Sequence, residues 1–260
     1  MTNESPEAPK SKKPLWPRIK QRLAQSVVDT TSIPDKMAIE RAVDVVKRSK
    51  IRKYLEPDGK YLDIGSGLGH IVEQVVREED EKNIKYLAVD PTWKPLKRLR
   101  KRTKKEFPDK TLFMKAEGDH LPIAGHSMDG VSLFFVMHHV PTENQQQILD
   151  ETKRVLKEDG MLFLTEDVPE NEEEAERNAT WDRRLNFEPK DEPHFYKNDE
   201  EWRKFFEQNG FDLLEAAYWE DISKKKNEGV IKHRSYILRK RSSVKDIADE
   251  KSGQVRNILL

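Results

Sequence analysis

The segment Tyr61-Leu62-Asp63-Ile64-Gly65-Ser66-Gly67-Leu68-Gly69-His70 limits the fold of this chain more than any other stretch. A short apolar run meets three glycines at alternating positions. Leu68, Ile71, Val72, Val75 and Val76 then follow at the three-and-four spacing of a buried helix face. The pattern predicts a strand, a glycine loop and a helix. Such a loop needs backbone angles that side chains disfavour, and bare backbone lets a ligand approach the free amides of a helix start. Dinucleotide sites use a related loop spaced G-x-G-x-x-G. Here His70 stands where that spacing needs its third glycine; the glycine comes one residue early, and Asp63 precedes the loop as D-x-G-x-G-x-G.

This pattern resembles the first motif of the class I S-adenosylmethionine-dependent methyltransferases, and later segments are similar to those of the type 11 methyltransferases. Residues 84–89 form a second apolar run ending in Asp90-Pro91. The resemblance implies that Asp90 receives the two ribose hydroxyls of the cofactor; a carboxylate that caps the next helix is the other reading. Ala116-Glu117-Gly118-Asp119-His120-Leu121-Pro122-Ile123 is similar to the family's segment of small residue, acid and Leu-Pro-apolar. It implies Glu117 for the exocyclic amine of adenine and the Gly118 amide for a ring nitrogen, with Asp119 as the rival acid. Met128-Asp129-Gly130-Val131 and the residues through His139 resemble a Phe-Asp-x-Val strand with a trailing apolar-His segment, Met128 standing where Phe is usual. By resemblance Phe134 borders the methionine part of the cofactor. The implied cofactor is S-adenosyl-L-methionine, held by Asp63, Gly65, Ser66, Gly67, Gly69, Asp90, Pro91, Glu117, Gly118 and Phe134.

Strands and helices alternate along the chain. Residues 36–55 and 94–105 have helical spacing, and Ile148, Leu149, Thr152, Val155 and Leu156 continue it up to a stop at Asp159-Gly160. Residues 111–115 and 161–165 complete five strands, the last ending in Glu166-Asp167. This alternation argues for a doubly wound α/β fold on a parallel sheet with its ligand site at the carboxyl ends of the strands. Asn198 and Glu201 form a capping-box pattern ahead of a helix carrying Trp202, Phe205 and Phe206, closed by Gly210. Residues 211–219 and 229–239 are two further strands. The resemblance implies a mostly parallel seven-stranded sheet with helices on both faces, an antiparallel last strand and the order 3-2-1-4-5-7-6. The expected organisation is a disordered tail over residues 1–17, a helical cap over 18–58, the cofactor-binding domain over 59–240 with a lid-like insertion at about 166–200, and a charged tail over 241–260.

Composition removes several alternatives. Charged residues make up 37% of the chain and cysteine is absent, so disulfides and thiolate metal sites are excluded. The longest apolar runs, residues 131–137 and 161–164, are far too short for a membrane span. The opening MTNESPEAPKSKK lacks the apolar stretch of a secretory signal, and the expected location is cytoplasmic. The 48 basic residues balance 48 acidic ones, so arguments about partners must be local.

The methyl acceptor is expected to be a small molecule offering an oxygen, nitrogen or carbon nucleophile. His138 and His139 follow the fourth strand, beside the expected methyl position. A neutral imidazole there can take a proton, which makes His139 the candidate base and His138 a substrate contact; packing beneath the lid is the bland reading of both. Trp181, His194 and Tyr196 in the lid segment are further substrate candidates. Glu166, Asp167, Asp182 and His194 offer metal-binding atom types, but nothing fixes their spacing as a ligand motif and no metal is assigned. The basic stretch 94–105 supports a second reading, an RNA or protein substrate, although a solvated helix face is the preferred explanation of it. A non-catalytic cofactor-binding scaffold is the third.

Overall fold

A computed structural model describes residues 35–185, 188–222 and 229–242. The expected tail at 1–17, part of the cap at 18–58 and most of the tail at 241–260 lie outside these residues.

Seven strands, β1 (Lys60–Ile64), β2 (Lys85–Asp90), β3 (Thr111–Lys115), β4 (Met128–Phe134), β5 (Leu156–Asp167), β6 (Phe211–Ile222) and β7 (Val230–Lys240), form one sheet in the order β3-β2-β1-β4-β5-β7-β6. β1 to β5 are parallel, and β7 is antiparallel to both of its neighbours. This is the order implied by the resemblance. Because β7 is reversed, its first residues lie at the same sheet edge as the ends of β4 and β5.

Alternation along each strand divides the core into two layers. Leu62, Ile64, Val131, Leu133, Leu162 and Leu164 pack beneath α4 (Thr142–Val155) and α6 (Asp199–Gln208), which contribute Ile148, Leu149, Trp202 and Phe206. Tyr61, Tyr86 and Phe163 face the other way, toward α1 (Asp35–Arg48) and α2 (His70–Glu78) with Val45, Val46, Val72, Val75 and Val76. Leu96 and Leu99 of α3 (Trp93–Glu106) cover Ala88. Among the described residues, no helix is long and apolar enough to cross a membrane.

Two local expectations need correction. The helix expected over 36–55 ends at Arg48: Lys50 adopts a left-handed backbone (φ 64°), and a short helical turn, Ile51–Tyr54, swings Ile51 into the core. On α1 the inward residues are Ala42, Val45 and Val46, whereas Ile39 and Val43 face outward. The helix expected to run to Asp159-Gly160 ends at Val155, and β5 starts at once with Leu156. Lys240 explains this early start, because its ammonium donates to the Leu156 carbonyl (3.1 Å) and to Glu158 (2.6 Å), tying the segment into the sheet.

The lid segment contains α5 (Glu172–Leu185) and an extended stretch that leads to α6. Lys232 at the start of β7 bridges Glu170 and Glu174 (3.0 and 2.9 Å), and Arg177 donates to the Val230 carbonyl. These contacts hold α5 over the carboxyl edge. The capping box is present: Asn198 accepts from the Glu201 amide (2.9 Å) and donates its own amide to the Glu201 carboxylate (2.8 Å). Asn198→Ala is expected to lower stability by about 1 kcal/mol in urea denaturation, with no change in the dependence on urea concentration.

Candidate active site

The glycine loop leaves β1 with the amides of Gly65 and Ser66 both donating to the Val89 carbonyl (2.9 Å each), so β2 fixes where the loop begins. The outer glycines are required by close neighbours. A Cβ on Gly65 would lie 2.6 Å from Val136, and one on Gly69 would lie 2.2 Å from Leu99. Gly67 differs: its φ is +50°, and a Cβ there would meet nothing within 4 Å. The middle of the loop therefore faces open space, where a ligand can approach bare backbone. Arg102 closes the far end, donating to the Leu68 carbonyl and pairing with Glu73 (2.7 Å).

Two buried carboxylates flank this loop. Asp63 accepts from the Ser132 hydroxyl (2.6 Å), and burial pushes its carboxyl up to about 7, with the Asp90 charge adding to the rise. Asp90 accepts from the Gly67 amide (2.9 Å) through one oxygen and from the Thr92 amide and hydroxyl (2.8 and 2.6 Å) through the other. It thus joins the loop to the start of α3, and the oxygen that meets Gly67 retains a lone pair for a hydroxyl donor. Burial raises the Asp90 carboxyl too, against the Thr92 and Gly67 hydrogen bonds, and the charge of Glu117 adds to that rise. Pro91 leads into Thr92. Gly118, beside Glu117, sits where a Cβ would lie 2.7 Å from Ile64. Phe134 ends β4, almost fully buried. All ten residues expected to hold the cofactor lie at or just beyond the carboxyl ends of β1 to β4, and their types fit a ribose, an adenine and a backbone-contacted amino acid.

Past β4 the chain makes a tight turn organised by Glu166 from the end of β5. This fully buried carboxylate accepts from the amides of Val136 (2.9 Å) and Met137 (2.6 Å) and lies 2.5 Å from Nδ1 of His138. Nε2 of His138 is 3.2 Å from Asp182 on α5, and the Tyr196 hydroxyl donates to the same carboxylate oxygen (2.6 Å). Burial alone would lower the His138 pKa, but Glu166 and Asp182 outweigh it and hold the ring well above its usual value. His139 lies in the opposite situation: burial, with the neighbouring charge of His138, depresses it to about 3. Nδ1 of His139 is 3.6 Å from Glu188, and Nε2 of His194 is 3.1 Å from the other oxygen of that carboxylate.

The fold thus gathers His138, His139, His194 and Tyr196, four of the residues expected on the acceptor side. Trp181 is half-buried and precedes Asp182 on α5, so it points away from the face that Asp182 presents. The acids weighed as metal ligands do not converge. Glu166 and Asp182 clamp His138, while Asp167 bonds Nδ1 of His233 (2.6 Å), whose Nε2 is 3.0 Å from Asp221. Glu188 and this second cluster escaped the sequence reading, since one glutamate in an acidic segment and one histidine in a strand carry no local signal.

Residues 62–164 match the family described as a methyltransferase domain. No curated protein matches the chain. Among solved structures, a protein from Bacillus halodurans C-125 assigned to the methyltransferases is 20% identical, covers 76% of this chain and 99% of its own length, and has a TM-score of 0.62. A SAM-dependent methyltransferase from Methanosarcina mazei is 17% identical, with 74% and 97% covered and a TM-score of 0.58. One from Leishmania major is 12% identical, with 87% and 83% covered and a TM-score of 0.60. At these identities the structures establish the class I methyltransferase fold. Residues 62–164 thus form a methyltransferase domain, and the enzyme class this domain supports is the S-adenosylmethionine-dependent methyltransferases.

Two outcomes follow from the loop. Gly67→Val should weaken calorimetric binding of S-adenosylmethionine at least tenfold while the chain stays folded, whereas Gly69→Ala, driven against Leu99, should cost about 1–3 kcal/mol of stability. For Asp63 the folded value lies above the unfolded value of 3.8, so the stability from its bound proton is complete below about pH 4 and is lost as pH rises through about 7. Without added cofactor, Asp63→Asn should flatten that decline by roughly 2–4 kcal/mol in denaturant titrations at several pH values.

Proposed function

We propose that the chain methylates a small-molecule acceptor enclosed between the turn after β4 and the lid segment. The observation that carries this reading is the direct docking of the lid on the histidine pair. The Phe195 amide donates to the His138 carbonyl (2.7 Å), and the Tyr196 ring stacks on His138 with centroids 5.0 Å apart. An acceptor site covered by the chain's own residues suits a compact molecule better than a polymer.

When bound, S-adenosylmethionine supplies a sulfonium methyl group that an acceptor lone pair takes while the carbon–sulfur bonding pair stays on sulfur. The protein's part is alignment and exclusion of water. Gly65, Ser66, Gly67 and Gly69 present backbone to the cofactor, and Asp90 and Glu117 offer acceptors for its ribose and adenine. Asp63 sets the end of β1 through Ser132, and Phe134 borders the methionine part. A general base works best with a pKa near the operating pH, and His139 lies far below it. His139 is therefore a neutral polar contact, and His138, gripped by two carboxylates, positions the lid. His194 and Tyr196 complete the acceptor side.

The basic face of α3, with Lys97, Arg100, Lys101, Lys104 and Lys105 exposed, packs on β2 and β3, on the half of the sheet away from the lid. That separation disfavours an RNA substrate. Incubation with methyl-labelled cofactor and fractionated cell extract tests the choice. Label should enter the low-mass fraction and disappear with Gly67→Val, and charge reversal at Lys97, Lys101 and Lys104 should leave the rate within about twofold. Label confined to RNA or protein, lost steeply with added salt, would overturn the small-molecule reading.

A further inference from the structure

His139, Glu188 and His194 form a group that the methyl-transfer chemistry does not require. Two segments of the chain bring them together: the turn after β4 supplies His139, and two separate points of the stretch between α5 and α6 supply Glu188 and His194. One ligand atom from each lies within 4.8 Å of the others. The side chains of Glu188 and His194 are 1% exposed, and that of His139 is 16% exposed. Burial on this scale normally comes with satisfied hydrogen bonds. Here Nδ1 of His139, both ring nitrogens of His194 and one Glu188 oxygen are buried without a hydrogen bond. The His194 nitrogen stands 3.1 Å from that carboxylate but lacks the geometry of a donor contact.

We propose that these three residues hold a divalent first-row transition ion. Ligand atoms bonded at about 2.1 Å to one ion stand roughly 3.0–3.5 Å apart, depending on geometry. The 3.1 Å contact falls within that range and the 3.6 Å contact just beyond it; they run to the two different oxygens of Glu188, and small side-chain adjustments bring one ligand atom of each residue, already within 4.8 Å of the others, to a common ion. Two imidazoles with one carboxylate favour zinc, iron, cobalt or nickel over magnesium or calcium, which prefer oxygen donors. The surroundings supply the orienting shell that such sites need. The His194 ring is stacked nearly parallel to Tyr196 (7°), and the His139 ring lies 4.1 Å from that of His138, which Glu166 and Asp182 clamp. Three protein ligands leave coordination open for a further group. The site lies three residues beyond Val136, which touches the glycine loop at Gly65, so an acceptor bound to the ion through oxygen or nitrogen would be held near the methyl donor and its proton acidified.

The inference concerns a binding site and stands apart from the choice of acceptor. The test uses the full chain without a histidine tag, stripped with a chelator and titrated calorimetrically with Zn2+ and, separately, Mg2+, with Co2+ absorption reporting the ligand field. One Zn2+ per chain is expected, with Mg2+ at least about 100-fold weaker. Glu188→Gln and His194→Gln should each lose about 100-fold or more in Zn2+ affinity, while His126→Ala, an exposed histidine elsewhere, should lose none. If circular dichroism shows either variant unfolded, His139→Asn supplies the same comparison. Absence of stoichiometric Zn2+ binding by the wild-type chain, or binding that survives loss of Glu188 and His194, would overturn the site. A chain that binds Zn2+ but transfers no methyl group leaves this inference standing and removes the functional reading instead.

Discussion

The Glu166 carboxylate sits at the end of β5 with no solvent, where an uncompensated charge would cost several kcal/mol. Its compensation comes from the turn after β4: two successive amides, Val136 and Met137, and the His138 ring. That requirement fixes the turn, and the turn places the site. Val136 is brought against Gly65, the histidine pair is turned toward the lid, and the Met137 carbonyl becomes available to Gln145 (2.9 Å) on α4. One buried acid thereby sets the glycine loop, the histidine pair and a flanking helix in a common frame.

The same turn holds strain. Phe135 has φ +57°, a region in which a bulky side chain costs on the order of 1–3 kcal/mol. Its surroundings over-determine the conformation: the amide donates to the Thr165 carbonyl (2.8 Å), the Arg41 guanidinium lies 4.4 Å over the ring, and His233 meets it edge-on at 5.6 Å. His233 is itself held by Asp167 and Asp221. Two neighbouring carboxylates of β5, Glu166 and Asp167, alternate to opposite faces and each grips a histidine, so the strand end braces the turn after β4 from both layers.

The motif from Asp63 to Gly69, the acid at Asp90, the segment around Glu117 and the capping box at Asn198 were legible because their information is local. Each depends on backbone geometry or spacing within a few residues, and the apolar periods of the strands follow from burial on two faces. The left-handed turn at Lys50 and the early start of β5 were not legible. Both are decided by distant partners, the core that receives Ile51 and the ammonium of Lys240, which no window of neighbouring residues contains.

Order along the chain was thus enough to specify a glycine loop and the sheet edge on which it opens, since glycine spacing and hydrophobic period act over a turn or a strand. Which acids serve which histidines was settled by long-range closure of the fold. Glu166 lies 28 residues from His138 and Asp167 lies 66 from His233. Only when the lid returns over the sheet do His139, Glu188 and His194 share one small volume. A carboxylate's role comes from the groups it meets after burial, and those meetings are a property of the tertiary structure.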